Sequence, residues 1–164
     1  LRIVCPYTPA GLQPATTAAL ESLGRPVEWV DVSGDDHAYF RALSGLWADQ
    51  TDFLLVEHDM VPTVDAVTEM ETCRRWWCTN PYPCNQWGTL IEVAFGFTRF
   101  RAELMAAEPD AFAATVAVPV MVNGHQWPAR HFQGLDCRFD CVMGARRYRQ
   151  HAHPAVIEHL HVYP

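Results

Sequence analysis

Lysine is missing altogether: all 12 basic residues of this 164-residue chain are arginines. Arginine is the better two-pronged clamp for phosphate and carboxylate, so the absence takes nothing from a phosphate-handling site. Positive charge is also scarce relative to negative. Nineteen acids leave a formal charge of -7 and a pI near 5.5. A surface of that sign repels polyanions and argues against non-specific nucleic-acid binding. No apolar run approaches the roughly 20 residues that cross a bilayer. No charged-then-apolar leader opens the chain, and the expected location is cytoplasmic. The chain opens on Leu1 rather than Met, which leaves an upstream start and a removed targeting segment open. Repeats and low-complexity tracts are absent. None of the six cysteines (Cys5, Cys73, Cys78, Cys84, Cys137, Cys141) belongs to a CxxC pair, which argues against a zinc ribbon or finger. Reduced, partly buried thiols are expected, with "CRRWWCTNPYPC" the stretch best placed for a disulfide in an exported protein.

What is present suits a single domain over residues 1–164 with a true core, since 49% of the residues are hydrophobic. "RIVCPYTP" reads as a first strand. "LQPATTAALESLG" follows with helical spacing and a glycine stop. "PVEWVDVSG" is a second strand ending at Asp31. "DDHAYFRALSGLWADQ" is a helix whose apolar stripe holds Tyr39, Leu43 and Leu46 or Trp47, and "DFLLV" is a third strand. Strand–helix alternation of this kind belongs to an α/β fold with a mostly parallel central sheet flanked by helices. The style then changes. "PTVDAVTEMETCRR" reads as a short helix and "WWCTNPYPCNQWG" as an aromatic loop. "TLIEVAFGFTRF" reads as extended, "RAELMAAEPDAFAATV" as a helix broken near Pro109, "LDCRFDCVMGARR" as a helix, and "AVIEHLHV" as a last strand.

Ligands of open α/β sheets bind outside the carboxyl ends of the strands. The third strand ends in Glu57, His58 and Asp59. Alternation along a strand turns Glu57 and Asp59 to one side and His58 to the other. Two carboxylates at a ligand edge outline a site for Mg²⁺ or Mn²⁺. The plain alternative is a turn whose acids cap the next helix. Four of the eight histidines (His151, His153, His159, His161) crowd into "HAHPAVIEHLH". His159 and His161, two apart on a strand, face one way and offer an imidazole to the same kind of site.

Taken in order, these motifs resemble a small GT-A-fold glycosyltransferase of the family 2 kind. "LLVEHDMVP" is similar to the DxD-type motif that holds a divalent cation on a sugar-nucleotide's diphosphate, with Glu57 and Asp59 in the acidic positions and Glu in place of the first Asp. The resemblance implies a nucleotide-binding half over 1–59, with Pro6, Tyr7 and Thr8 against the nucleotide, Asp31 at the base, and His58 beside the cofactor. The remainder, 60–164, is then an acceptor half with a metal-ligand tail. "HFQGLDCRFD" resembles the late motif whose acid faces the acceptor, which maps onto Asp136. "HPAVIEHLH" resembles the closing segment whose histidine completes the metal site, at His159 or His161.

The implied activity is hexosyl transfer from a nucleotide-sugar, UDP-linked by default, with Mn²⁺ or Mg²⁺. The implied acceptor is a saccharide, protein, lipid or modified DNA base, as for small transferases of this look in phage genomes. The chain is short for that family, which implies a reduced acceptor region or a partner that supplies one. Asp136 is the expected base, giving inversion, with Asp140 one helical turn away as its competitor. Arg41 is a candidate for the diphosphate. Trp76, Trp77, Tyr82 and Trp87 form either an acceptor wall or a minor core. Two other classes stay open: a zinc hydrolase built on His151, His153, His159 and His161, and a non-catalytic nucleotide-sugar-binding module.

Overall fold

The computed structural model describes residues 1–83, 88–91, 94–122 and 124–160. Its centre is a six-stranded sheet built from β1 (Arg2–Tyr7), β2 (Val27–Asp31), β3 (Phe53–Val56), β5 (Trp77–Thr79), β8 (Phe97–Phe100) and β11 (His151–Ala152). The strands run in the order β11-β5-β8-β3-β1-β2. β1 pairs parallel with both β2 and β3, and β11 pairs parallel with β5. β8 alone runs against its neighbours β3 and β5. This is the mostly parallel α/β sheet expected from the strand–helix alternation. Pro6 is tolerated within β1 because the pairing with β3 stops at Val4, before the proline is reached.

Period-two alternation distributes the core over both faces. Phe53 and Leu55 of β3 join one cluster, while Leu54 and Val56 join the other. All four are fully buried. The first face is covered by α2 (Ala38–Ala48), α4 (Ala102–Ala107), α5 (Ala111–Thr115) and α6 (Leu135–Ala145), whose core residues include Trp47, Leu104, Phe112 and Phe139. The second face carries α1 (Pro14–Ser22) and α3 (Val64–Thr72), through Leu20, Val67 and Met70. Trp47 meets Phe100, Phe112 and Phe139 edge-on at 5.3–5.8 Å, each pair adding about 0.5–1.5 kcal/mol beyond area burial. Its indole N–H donates to the Glu108 carbonyl at 2.8 Å, so the ring is buried without an orphaned donor.

The aromatic stretch after α3 departs from the loop expected there. Trp77 is a strand residue, opposite Phe100 in the β5–β8 register and stacked on its ring at 5.8 Å. It belongs to the main core rather than to an acceptor wall or a minor core of its own. Trp76 is exposed and meets Tyr148 edge-on. Tyr82 is buried in β6 (Tyr82–Pro83), which pairs with β7 (Leu90–Ile91). Trp87 lies outside the described residues. The extended segment expected over "TLIEVAFGFTRF" is divided into β7 and β8. β9 (Met121–Val122) and β10 (His125–Gln126) make a small hairpin before α6. The closing strand is reduced to β12 (Glu158–His159), which pairs antiparallel with β4 (Met60–Val61). Among the described residues no helix is long and apolar enough to cross a membrane.

Candidate active site at the end of strand β3

The backbone turns sharply after Val56. The Met60 N–H donates to the Glu57 carbonyl at 3.0 Å, and the Glu57 N–H donates to the Gly96 carbonyl at 2.8 Å. The alternation expected of the triplet is kept. His58 faces the β1–α1 loop, where a Cβ added to Gly11 would lie 2.6 Å from its Nε2 and 2.8 Å from the Thr8 hydroxyl. The His58 carbonyl accepts from the Gln13 N–H at 3.0 Å, clamping that loop to the turn. Glu57 and Asp59 take the other side. Neither caps α3: the Thr63 hydroxyl does so, accepting from the Ala66 N–H at 3.2 Å.

Glu57 is half-buried and accepts a very short hydrogen bond from the Tyr39 hydroxyl of α2. Burial pushes its carboxyl up to about 7; the Tyr39 hydrogen bond opposes this, and repulsion from Asp59 and Asp136 adds to it. By spacing, Tyr39 belongs to the apolar stripe of α2. The signal for its other role was its hydroxyl, which needs a partner once the ring is packed.

Asp59 is joined to a residue one hundred positions later in the chain: its Oδ2 lies 3.2 Å from His159 Nε2. The β12–β4 pairing sets His159 opposite Met60, and the Leu160 N–H donates to the Asp59 carbonyl at 2.9 Å. His159 Nδ1 is 2.8 Å from the Pro83 carbonyl and donates to it. A neutral imidazole so held turns the lone pair of Nε2 towards a carboxylate. Two acceptors face each other there, and either a proton or a cation must lie between them. Burial pushes the Asp59 carboxyl up, but the His159 hydrogen bond and charge outweigh it and leave it below the ordinary carboxylate range. Burial pulls the His159 imidazole down, and its bonds to Asp59 and Pro83 bring it above its usual value. The second oxygen of Asp59, Oδ1, is buried with no hydrogen-bond partner. An orphaned carboxylate oxygen beside an imidazole nitrogen and a second carboxylate suits a hard divalent cation. This constellation is more open than the tight trio of possible ligands at Cys73, Cys78 and His153.

Asp136 brings a third carboxylate to the same region. It stands in the first turn of α6, behind Gly134, whose φ of 72° requires the left-handed region. Its Oδ1 accepts from the Cys137 N–H at 2.7 Å. Burial pushes its carboxyl up. Its charge in turn raises Glu57, Tyr39 and Tyr82, so it faces the same space. Asp140, one turn further along α6, is raised by burial and drawn back by Arg149. Tyr82 packs its ring against His159 at 4.9 Å and presses so closely on Gly96 that an added Cβ would come within 2.8 Å.

The ends of β1 and β2 form the site's other wing. Tyr7 lies opposite Asp31 in register, next to Pro6 and Thr8, and meets Trp29 edge-on at 6.0 Å. Asp31 is exposed, and the Ser33 hydroxyl, together with the Ser33 N–H at 2.8 Å, holds its carboxyl below the usual range. Trp29, exposed beside it, carries no signal in the sequence pattern. Arg41 is exposed and forms a two-pronged ion pair with Asp35 at 2.9–3.0 Å. His161 lies outside the described residues. The histidine cluster is divided: His153 pairs with Glu69 at 3.1 Å, whereas His159 pairs with Asp59. Sequence patterning also missed a run of rings leading into α6, in which His131 stacks on Trp127 at 4.4 Å and on Phe132 at 4.5 Å.

No protein-family profile matches the chain, and no curated protein matches it in sequence. Solved structures do match. One is a glycosyltransferase involved in the glycosylation of the major capsid of PBCV-1, with a TM-score of 0.57 and 11% identity, covering 99% of this chain and 94% of that one. Another is A197 from STIV, with a TM-score of 0.54 and 10% identity, covering 93% of this chain and 82% of that one. The likeness extends over nearly the whole chain and establishes a fold shared with a glycosyltransferase, in keeping with the GT-A-like architecture expected.

Proposed function

We propose that the chain is a metal-dependent glycosyltransferase that moves a sugar from a nucleotide-sugar, UDP-linked by default, to an acceptor hydroxyl with inversion. The observation that carries this reading is the buried, unpartnered Oδ1 of Asp59, next to a His159 Nε2 that faces a carboxylate. The shared fold supports the reaction class.

Asp59 and His159, with Glu57 directly or through water, would hold Mn²⁺ or Mg²⁺. A cation so held neutralises a diphosphate leaving group as a Lewis acid. The chain's own residues do the rest. Tyr39 keeps the half-buried Glu57 oriented and favours its charged form. Tyr7, Trp29 and Asp31 offer an aromatic pair and an exposed acceptor to a nucleobase at the ends of β1 and β2. Asp136, with one oxygen held by the Cys137 N–H, presents the other to the acceptor hydroxyl and takes its proton as the bond to the anomeric carbon forms. Its raised proton affinity suits that task, since general-base help is worth about 10²–10⁴-fold in rate. On the loop entering α6, the exposed Phe132, stacked on the buried His131, offers a flat face to an acceptor sugar.

Thermal denaturation with UDP, GDP, CDP and TDP, each with and without Mn²⁺, tests the reading. A ligand that binds only the folded form raises its melting temperature by mass action. One nucleotide should raise it only when Mn²⁺ is present, and Asp59→Ala should abolish that rise. Equal shifts with and without the metal, or an Asp59→Ala protein that responds like the parent, would remove the central claim.

A further inference from the structure

A second group of ligand atoms lies apart from Asp59 and His159. Cys73 ends α3, Cys78 is the middle residue of β5, and His153 follows β11. Their ligand atoms all lie within 4.8 Å of one another. His153 is 8% exposed, and its Nε2 is buried with no partner. Its Nδ1 is 3.1 Å from the Glu69 carboxylate and donates to it. A carboxylate on one ring nitrogen, with the other left unpartnered in a group that includes two thiols, is how metal-ligating histidines are oriented. Glu69 is itself held, accepting from Asn80 Nδ2 at 3.2 Å. Cys73 is half-buried, so the group opens to solvent on that side.

We propose that Cys73, Cys78 and His153 form a zinc site, with Glu69 as the residue that positions the imidazole. Two thiolates and an imidazole are a donor set that zinc accepts, with a fourth position for water at the Cys73 rim. Tetrahedral bonds of about 2.0–2.3 Å place such ligand atoms about 3.5–3.8 Å apart, so the trio needs to contract by about an ångström at most on binding. The carboxylate-rich site at Asp59 is hard by comparison, and the two sites select different metals.

The zinc would act as a staple. It joins the end of a helix, a central strand and a segment that passes the Asp59 site six residues later. That segment is already held at one side: the His153 N–H donates to the Thr79 carbonyl at 2.8 Å, Asn80 Nδ2 donates to the Ala155 carbonyl at 2.9 Å, and the Ile157 N–H donates to the Pro81 carbonyl at 3.0 Å. Fixing His153 therefore fixes the stretch that delivers His159.

Co²⁺ titration of the reduced, metal-stripped full chain tests this. One equivalent should produce thiolate-to-cobalt charge transfer and the intense visible bands of a tetrahedral ion, and Zn²⁺ should bleach both. Cys73→Ser, at the half-buried rim where folding is least at risk, should abolish the charge-transfer band, as should His153→Ala. Glu69→Gln should weaken binding by about 10–100-fold. Cys137→Ser/Cys141→Ser and Asp59→Asn should leave the spectrum intact, which separates this site from the exposed thiols of α6 and from the candidate active site. A spectrum that survives Cys73→Ser, or is lost in the α6 double variant, would overturn the assignment. So would uptake of Cu(I) with no response to Co²⁺ or Zn²⁺, or a Cys73–Cys78 disulfide whose reduction restores no metal binding.

Discussion

Removing one hydroxyl should move the pH dependence of the site. In Tyr39→Phe the ring and its packing remain, while Glu57 loses the hydrogen bond that favours its charged form. A hydrogen bond to a charged group contributes about 1.5–3 kcal/mol, and one pH unit corresponds to about 1.4 kcal/mol, so the midpoint should rise by about 1–2 pH units. The parent's Glu57 carboxyl titrates near 7 because of burial. At pH 7 about half of the parent sites carry the charge, against about 1–10% in the variant, so Mg²⁺-dependent nucleotide affinity should fall by about 5–50-fold. At pH 9 the two proteins should agree within about threefold.

The stability linkage runs the opposite way from binding: the charge that favours a cation costs stability. A carboxyl raised on folding contributes stability that is fully present below its unfolded value. That contribution is lost as pH rises through the folded value near 7. Isothermal titration of nucleotide with Mg²⁺ between pH 6 and 9 would measure the displacement. A Tyr39→Phe profile that overlays the parent's would refute the coupling of Tyr39 to Glu57 and the place of Glu57 in cation binding.

Asp136→Asn should keep Mn²⁺-dependent nucleotide binding while the single-turnover transfer rate drops by about 10²–10⁴-fold; a fully active variant would place the base elsewhere. Trp77→Ala should lower stability to urea by about 3–5 kcal/mol, because a ring stacked on Phe100 leaves a cavity in the main core. Far-UV circular dichroism across a urea series would expose a smaller loss, as expected of a loop residue. Asp52 joins the buried Arg99 to the start of α4, accepting from the Ala102 N–H at 2.8 Å. Burial raises its carboxyl, but Ala102 and Arg99 together bring it below the usual range. Its contribution is present above the unfolded value of about 3.9 and lost as pH falls through the folded value. Asp52→Asn should therefore flatten the acid limb of the melting curve, and an unchanged limb would assign acid sensitivity to another carboxylate.

Local patterning carried the first half of the chain well. The continuous apolar run Phe53–Val56 and the period of two beyond it are short-range properties, and they placed Glu57 and Asp59 together and His58 apart. What stayed hidden depends on distant partners. β12 is a strand only because Met60 and Val61 are there to receive it, and two residues carry too little pattern to be seen alone. β5 was obscured by Pro81 and Pro83 just beyond it, which gave the whole stretch the look of a turn. Tyr39 matched the apolar spacing of α2, and its bond to Glu57 spans an interval that periodicity does not report. Asp136 was legible as a first-turn acid; that its charge reaches Glu57 required the sheet to be assembled.

The antiparallel pair β12–β4 has a bearing on synthesis. Asp59 leaves the ribosome early, together with the three parallel strands that surround it, yet the imidazole that meets it is made one hundred residues later. Until residue 160 has cleared the exit tunnel, a nascent chain holds a partly buried carboxylate with nothing opposite it. On the proposed reading, a cation could be held there only after that last pairing, which follows all six strands of the sheet.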